Sequence, residues 1–333
     1  MPVRAGHPSG HRMSSQPATD LSLERIATAA RTIDPVFRDS PQFEDAELNA
    51  ALGRRVELKV ETVNPLRSFK GRGADFKMRS LAPGAHVVCA SAGNFGQAIA
   101  YTGRSRGAGV TVFVPVGANP AKCARMEAFG ATVRRAGADF DAAKEVARAF
   151  AAGDPAATFV EDGEDPAFCE GAGTIAIELL RTGPLDAIVV PVGDGALIAG
   201  IAVWLKAQRP QVRVIGVCPA GAAAMAESWK ARRPVTVARS DTIADGLAVR
   251  VPVARAVARL VQLVDEMRVV DDAALRAAMR LAARTLGLVL EPSGAAGIAA
   301  LAARPVEGER VVTVLTGSHI HPDHAPELFT AQD

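Results

Sequence analysis

Short runs of β-branched residues alternate with Ala-rich amphipathic stretches along most of this chain, and that alternation restricts its fold more than any other feature. Strands are predicted at 56–60, 86–90, 110–114, 132–135, 158–161, 187–192, 213–218, 268–270 and 311–315, with helices over 24–30, 46–52, 96–106, 122–129, 140–151, 173–180, 197–208, 222–231 and 271–286. Strand, helix and strand in repetition give parallel sheets covered on both faces. There are too many strands for one compact sheet, so the α/β chain is read as two doubly wound lobes with a cleft between them. No Pro- or Ser-rich linker divides it and no internal repeat is visible, so the lobes are expected to interleave. A (β/α)₈ barrel is the competing architecture at this length.

Composition narrows the function. With 38 basic and 36 acidic residues the net charge is +2, and 5% of residues are aromatic, so neither a phosphate backbone nor stacked bases find a platform. No run approaches the roughly 18 apolar residues of a membrane helix. Residues 1–22 are polar, lack the apolar core of a signal peptide and read as a disordered tail, within which Met13 is an alternative start. Cys89, Cys123, Cys169 and Cys218 lie far apart without C-x-x-C pairing, which fits neither a zinc module nor a disulfide framework and points to the reducing cytoplasm.

Three segments could carry chemistry. Asn64-Pro65-Leu66-Arg67-Ser68-Phe69-Lys70-Gly71-Arg72-Gly73 sets one of the few lysines between a proline turn and two glycines, where a desolvated amine could form a Schiff base; a surface lysine in a basic turn is the plainer reading. Ser91-Ala92-Gly93-Asn94-Phe95-Gly96 follows a strand and opens a helix, a place where free N–H groups bind anions, or simply an ordinary capped turn. Gly193-Asp194-Gly195-Ala196-Leu197 has the same context and two glycines able to wrap amides around a phosphate, without the third glycine of a dinucleotide fingerprint.

In this order, and with Ala244-Asp245-Gly246, Glu291-Pro292-Ser293-Gly294 and Thr316-Gly317 after them, the segments resemble the fold type II pyridoxal-phosphate enzymes of the threonine and serine dehydratase branch, over about residues 33–320. The resemblance implies pyridoxal 5'-phosphate as cofactor, a large domain from 23–81 and 162–333, a small mobile domain at 82–161, and a homodimer or homotetramer. It implies that Lys70 holds the cofactor and then removes the substrate's α-proton. Phe69, Asn94, the amides of Gly193 to Leu197, Glu291 and Thr316 are implied to contact the cofactor, with Asn94 on its phenolic oxygen and Thr316 at its ring nitrogen. A neutral hydroxyl there makes the ring a weak electron sink and favours loss of a β-substituent. Ser91, Ala92, Gly93, Asn94, Phe95, Asp245 and Gly246 are implied to meet the amino-acid substrate. The expected reaction is α,β-elimination from a β-hydroxy amino acid such as L-threonine or L-serine to a 2-oxo acid and ammonia, with β-replacement, racemisation or cofactor binding without turnover as alternatives.

Departures from the family pattern sharpen this. Ala92 stands where the racemases carry a second serine, so racemisation is expected to be poor, and Phe95 replaces a common histidine and is expected to make the substrate side more apolar. Asp194 interrupts the phosphate loop; its side chain is expected to point away, because a carboxylate near a dianion is repelled by roughly 1 kcal/mol per unit charge at 4 Å even in water. The regulatory domain of biosynthetic threonine dehydratases and their relatives' cation site are expected to be absent. His319-Ile320-His321-Pro322-Asp323-His324 spells the ligand pattern of a dinuclear hydrolase, but further downstream ligands are wanting, so no metal is expected and the histidines are placed near the cofactor edge or at the surface. Glu170 and Glu178 are expected to cap or solvate a helix start.

Overall fold

The computed structural model describes residues 19–328. Ten strands and twelve α-helices are found among them. The strands are β1 (Gln42–Glu44), β2 (Glu57–Val60), β3 (His86–Ala90), β4 (Gly109–Val114), β5 (Thr132–Arg135), β6 (Ala157–Phe159), β7 (Ala187–Pro191), β8 (Arg213–Pro219), β9 (Glu266–Val270) and β10 (Val311–Leu315). They form two open sheets, ordered β1-β2-β10-β7-β8-β9 and β5-β4-β3-β6. Every pairing is parallel except the short edge strand β1 against β2. The barrel is thereby excluded. The four-stranded sheet occupies the sequence between β2 and β7, so the lobes interleave.

The helices are α1 (Leu23–Thr32), α2 (Ala46–Leu52), α3 (Lys70–Met78), α4 (Asn94–Ser105), α5 (Pro120–Ala128), α6 (Phe140–Ala152), α7 (Pro166–Arg181), α8 (Ala196–Gln208), α9 (Ala224–Ala231), α10 (Ala254–Leu263), α11 (Asp272–Leu286) and α12 (Pro292–Ala303). Because successive side chains of a strand point to opposite faces, β7 joins two cores. Ile188 and Val190 pack in one cluster with Ile175 of α7 and Ile201 of α8; Ala187 and Val189 pack in another with Ala295 and Ile298 of α12. All five residues of β7 are buried, as a parallel strand covered on both faces requires.

Four elements were not expected from the pattern: β1, α3, α10 and α12. Gly71 and Gly73 lower the intrinsic helicity of α3, which is nonetheless helical because seven of its nine residues are buried against neighbours. α12 is apolar all round and buried along most of its length, so it carries no amphipathic period. α7 begins well before the predicted Gly173, where the Asp165 carboxylate accepts the Ala167 N–H and Pro166 occupies the first turn. Residues 1–18 of the expected tail lie outside the described residues. Its remainder is built into the fold: Leu21 is buried, Ser22 caps α1, and Asp20 pairs with Arg259 at 2.6 Å.

Candidate active site

The lysine singled out in the sequence opens α3 beside the carboxyl end of β10 in the large sheet. An antiparallel bridge joins Ser68 to Gly317, and the Phe69 N–H donates to the Thr316 carbonyl at 3.1 Å, so the turn before Lys70 is stitched to the end of β10. The helix itself lies against α7 at backbone distance. A Cβ on Gly73 would come within 2.6 Å of the Phe168 carbonyl, and one on Gly171 within 2.5 Å of Gly73 Cα, so both positions require glycine.

Below this turn lies a buried cluster of four charges. Arg72, fully buried, donates to both carboxylate oxygens of Glu61 (2.7 and 2.8 Å) and of Glu178 (2.6 and 2.9 Å), and Lys59 Nζ reaches Glu178 at 2.6 Å. Burial works against the Arg72 charge, but the two carboxylates overcome it and hold the guanidinium firmly protonated. Burial would likewise raise the Glu178 carboxyl, yet Arg72 and Lys59 hold it down at about 2. Glu178 therefore neither caps nor meets water as expected. Glu170 is also buried, and binds Arg25 at 2.6 Å and the Ser22 N–H at 3.2 Å.

Above Lys70 opens a cleft of about 600 Å³ between the two sheets. Its lining collects every residue named above for the cofactor and the substrate, from Phe69 and Lys70 through Ser91–Phe95, Gly193–Leu197, Asp245 and Gly246 to Glu291 and Thr316. Parallel sheets bring this about, since the turns after β3, β7 and β10 all leave the carboxyl ends of their strands. Gly195 sits at the N-cap of α8 and Gly93 at that of α4, both in the cleft lining, and neither helix start has a side-chain cap. The Ser91 hydroxyl accepts the Gly93 N–H at 3.2 Å.

The Lys70 ammonium meets the Asp162 carboxylate and lies 4.7 Å from the centre of the Phe69 ring and 5.9 Å from that of Phe95. Phe95 is 7% exposed and stacks edge-on against Phe168 at 4.9 Å, so it gives the cleft a wall beside Lys70 while most of the ring is core. The Asp194 side chain shares the lining of a smaller cavity of about 50 Å³ with Glu161, Asp162 and Lys144. Burial, and then the Asp162 charge, push the Asp194 carboxyl up to about 7.

At the other end Asn94 donates to Glu291 at 2.8 Å, and the second Glu291 oxygen accepts the His319 N–H at 3.1 Å. Burial and the nearby Asp245 charge push the Glu291 carboxyl up to about 7. The Thr316 hydroxyl donates to the Ser293 carbonyl at 3.3 Å, while the buried Ser293 hydroxyl has no hydrogen-bond partner. His319 is held behind Glu291: its Nε2 lies 2.8 Å from the Leu66 carbonyl, which can only accept, so Nε2 carries the hydrogen, and burial lowers the imidazole to about 4. His321 and His324 meet edge to face beyond it, their ring centres 6.0 Å apart. Among the described residues no His, Cys, Asp and Glu side chains gather as a metal site.

Sequence reasoning missed Asp162, Ser293 and two ion pairs that cross the mouth of the cleft, Lys122 with Asp245 and Arg250 with Asp141. The signal for Asp162 was its place directly after a predicted parallel strand, where ligand-facing residues gather. The ion pairs had no local signal, since each joins residues more than a hundred positions apart.

Residues 33–317 match the family model described as pyridoxal-phosphate dependent enzyme. The chain is 31% identical to the biosynthetic L-threonine dehydratase of Lactococcus lactis, covering 90% of this chain and 75% of that one, and 33% identical to the L-threonine ammonia-lyase of Thermotoga maritima, covering 90% and 76%. Among solved structures it is similar to maize serine racemase, with a TM-score of 0.84, 26% identity, and coverage of 91% of this chain and 95% of the other.

Proposed function

The chain belongs to the pyridoxal-phosphate dependent enzymes, and on that premise we propose that it catalyses α,β-elimination from a β-hydroxy L-amino acid such as threonine or serine, releasing a 2-oxo acid and ammonia. The observation that carries this reading is the meeting, in one cleft, of the Lys70 amine with two uncapped helix starts. Two anion sites flanking an amine fit a cofactor phosphate at Gly193–Ala196 and a substrate carboxylate at Ser91–Asn94. The unpartnered Ser293 hydroxyl in the same lining is a further polar group without a protein partner. Lys70, Asn94 and the α8 amides would hold the cofactor, whose electron-withdrawing ring makes the substrate's α-hydrogen acidic when bound.

The residues of this chain then do the rest. The α8 and α4 starts would bind the two anionic ends, which would set the substrate Cα between them in the cleft that Lys70 lines. Lys70 takes the α-proton onto its lone pair as the Cα–H bond breaks. The electron pair left behind forms the Cα–Cβ double bond while the β-hydroxyl departs with its own bonding pair and becomes water with the proton that Lys70 has taken, which returns the amine to its free form. The product enamine tautomerises and hydrolyses to the 2-oxo acid and ammonia. Ala92 offers no hydroxyl to return a proton on the opposite face, which favours elimination over the racemisation named for the maize relative. Four buried cysteines without disulfides support work in the reducing cytoplasm.

Release of 2-oxo acid from L- and D-threonine, serine and phenylserine, with added pyridoxal 5'-phosphate, tests the reading. Release from an L-substrate is expected. Silence across the panel from protein that has bound the cofactor would move the assignment to β-replacement or to binding without turnover.

A further inference from the structure

Resting on the reading just given, we propose that Asp162 is the proton partner of Lys70. Its carboxylate pairs with the Lys70 ammonium in the cofactor-free protein, and receives the ammonium that forms when Lys70 takes the substrate's α-proton. Asp162 acts through Lys70 and is therefore a positioning residue.

Three observations carry this. Asp162 Oδ2 is the acceptor that the Lys70 ammonium meets in the cleft. Asp162 is 7% exposed, yet its other oxygen, Oδ1, is buried without any hydrogen-bond partner, so the fold does not use up this carboxylate. The buried carboxylates Glu178 and Glu291 differ, because both oxygens of each are engaged by side chains or backbone. Finally, the loop is shaped to bring a second carboxyl alongside. Gly163 has φ +79°, and a Cβ there would lie 2.6 Å from the Asp194 carbonyl, so only glycine lets the turn after β6 close onto the turn after β7.

The charges facing this pair come from every element around it. Lys70 arrives from α3, and Lys144 from α6 is bound to Glu161 at 3.0 Å, which also takes Arg148 at 2.8 Å. Asp194 arrives from the turn before α8, and Phe95 of α4 lines the same small cavity. With Glu161 occupied by Lys144 and Arg148, the ammonium of Lys70 is left for Asp162. Asp194, raised to about 7, is only partly ionised at neutral pH, and the two acids together therefore avoid placing two full charges on one amine.

The test follows capture of pyridoxal 5'-phosphate by cofactor-free protein, trapped with borohydride and located by mass spectrometry, beside steady-state elimination. An amine must shed its proton to add to an aldehyde, so Asp162→Asn, which removes the carboxylate that meets the ammonium, is expected to be labelled at Lys70 about ten-fold faster than wild type at pH 7. Its kcat is expected to fall about ten-fold with KM unchanged, and Asp162→Glu is expected to restore both toward wild type. A wild-type labelling rate together with a wild-type kcat in Asp162→Asn would overturn the inference alone. Label on another residue of the wild type would overturn the functional reading, and the inference with it. Should circular dichroism show that Asp162→Asn does not fold, Asp162→Ser carries the same comparison.

Discussion

The two sides of the Lys70 turn hold charge in opposite ways. Beneath it, Lys59, Glu61, Arg72 and Glu178 form a closed set in which each carboxylate oxygen has a cationic donor and water is shut out. Above it, Asp162 and Asp194 form an open set, one with an oxygen lacking any partner and the other pushed up to about 7. The closed set is support: once matched, buried charges gain nothing further from a ligand, and losing one leaves the others stranded. The open set retains binding capacity, which is what a site needs. Burial alone thus does not mark a functional charge, whereas unmet hydrogen-bonding capacity does.

Substitutions on each side should separate these roles. Lys70→Ala is expected to abolish the visible absorbance of the bound cofactor and lower turnover on the order of a thousand-fold or more, with the unfolding midpoint almost unmoved. Arg72→Met should do the reverse, costing about 3–5 kcal/mol in denaturant unfolding because two buried carboxylates lose their partner. Acid should weaken the lower side through Glu178. Its folded value near 2 lies below an ordinary glutamate, so its stabilisation is complete above about pH 4.5 and is lost as pH falls toward 2, by roughly 3 kcal/mol in all. In Arg72→Met that part of the acid slope should disappear. The smallest effect is expected at the phosphate loop. As pH rises through 7 Asp194 ionises, and the affinity for pyridoxal 5'-phosphate should weaken; Asp194→Gly should bind about three- to ten-fold more tightly at pH 8 and show a flatter profile. A pH-independent affinity in the wild type would remove Asp194 from the open side of the comparison.

What the sequence disclosed follows the reach of each interaction. Asn94 and the 193–197 turn were legible because glycines, a preceding strand and a following helix are local signs of an anion site, whereas Lys70 stood out only through the order of motifs shared with the family. The alternation that reveals parallel sheets is also local, and most predicted strands lie within two residues of those found. α3 and α12 were illegible because burial on all sides erases periodicity, and packing against α7 overrides the glycines of α3. Asp162 stands 92 positions from Lys70, and an acid after a strand is common, so only tertiary structure shows which acid meets the amine. Glu178 was misread for the same reason: its partners Arg72 and Lys59 come from α3 and β2.

The pairing of β2 with β10 has a consequence for how the protein is made. Residues 57–60 meet the short strand β1 nearby, but their parallel neighbours come only at 312–315, about 250 positions on, and the turn that presents Lys70 is tied to Thr316 and Gly317. On the ribosome the sheet of β3 to β6 can form from consecutive sequence while synthesis continues. The large sheet must wait with an empty slot between β2 and β7 until the last strand emerges. The reactive amine is thus synthesised long before the strand that sets it in place, and a nascent chain stalled before β10 would carry the lysine without the scaffold that aims it.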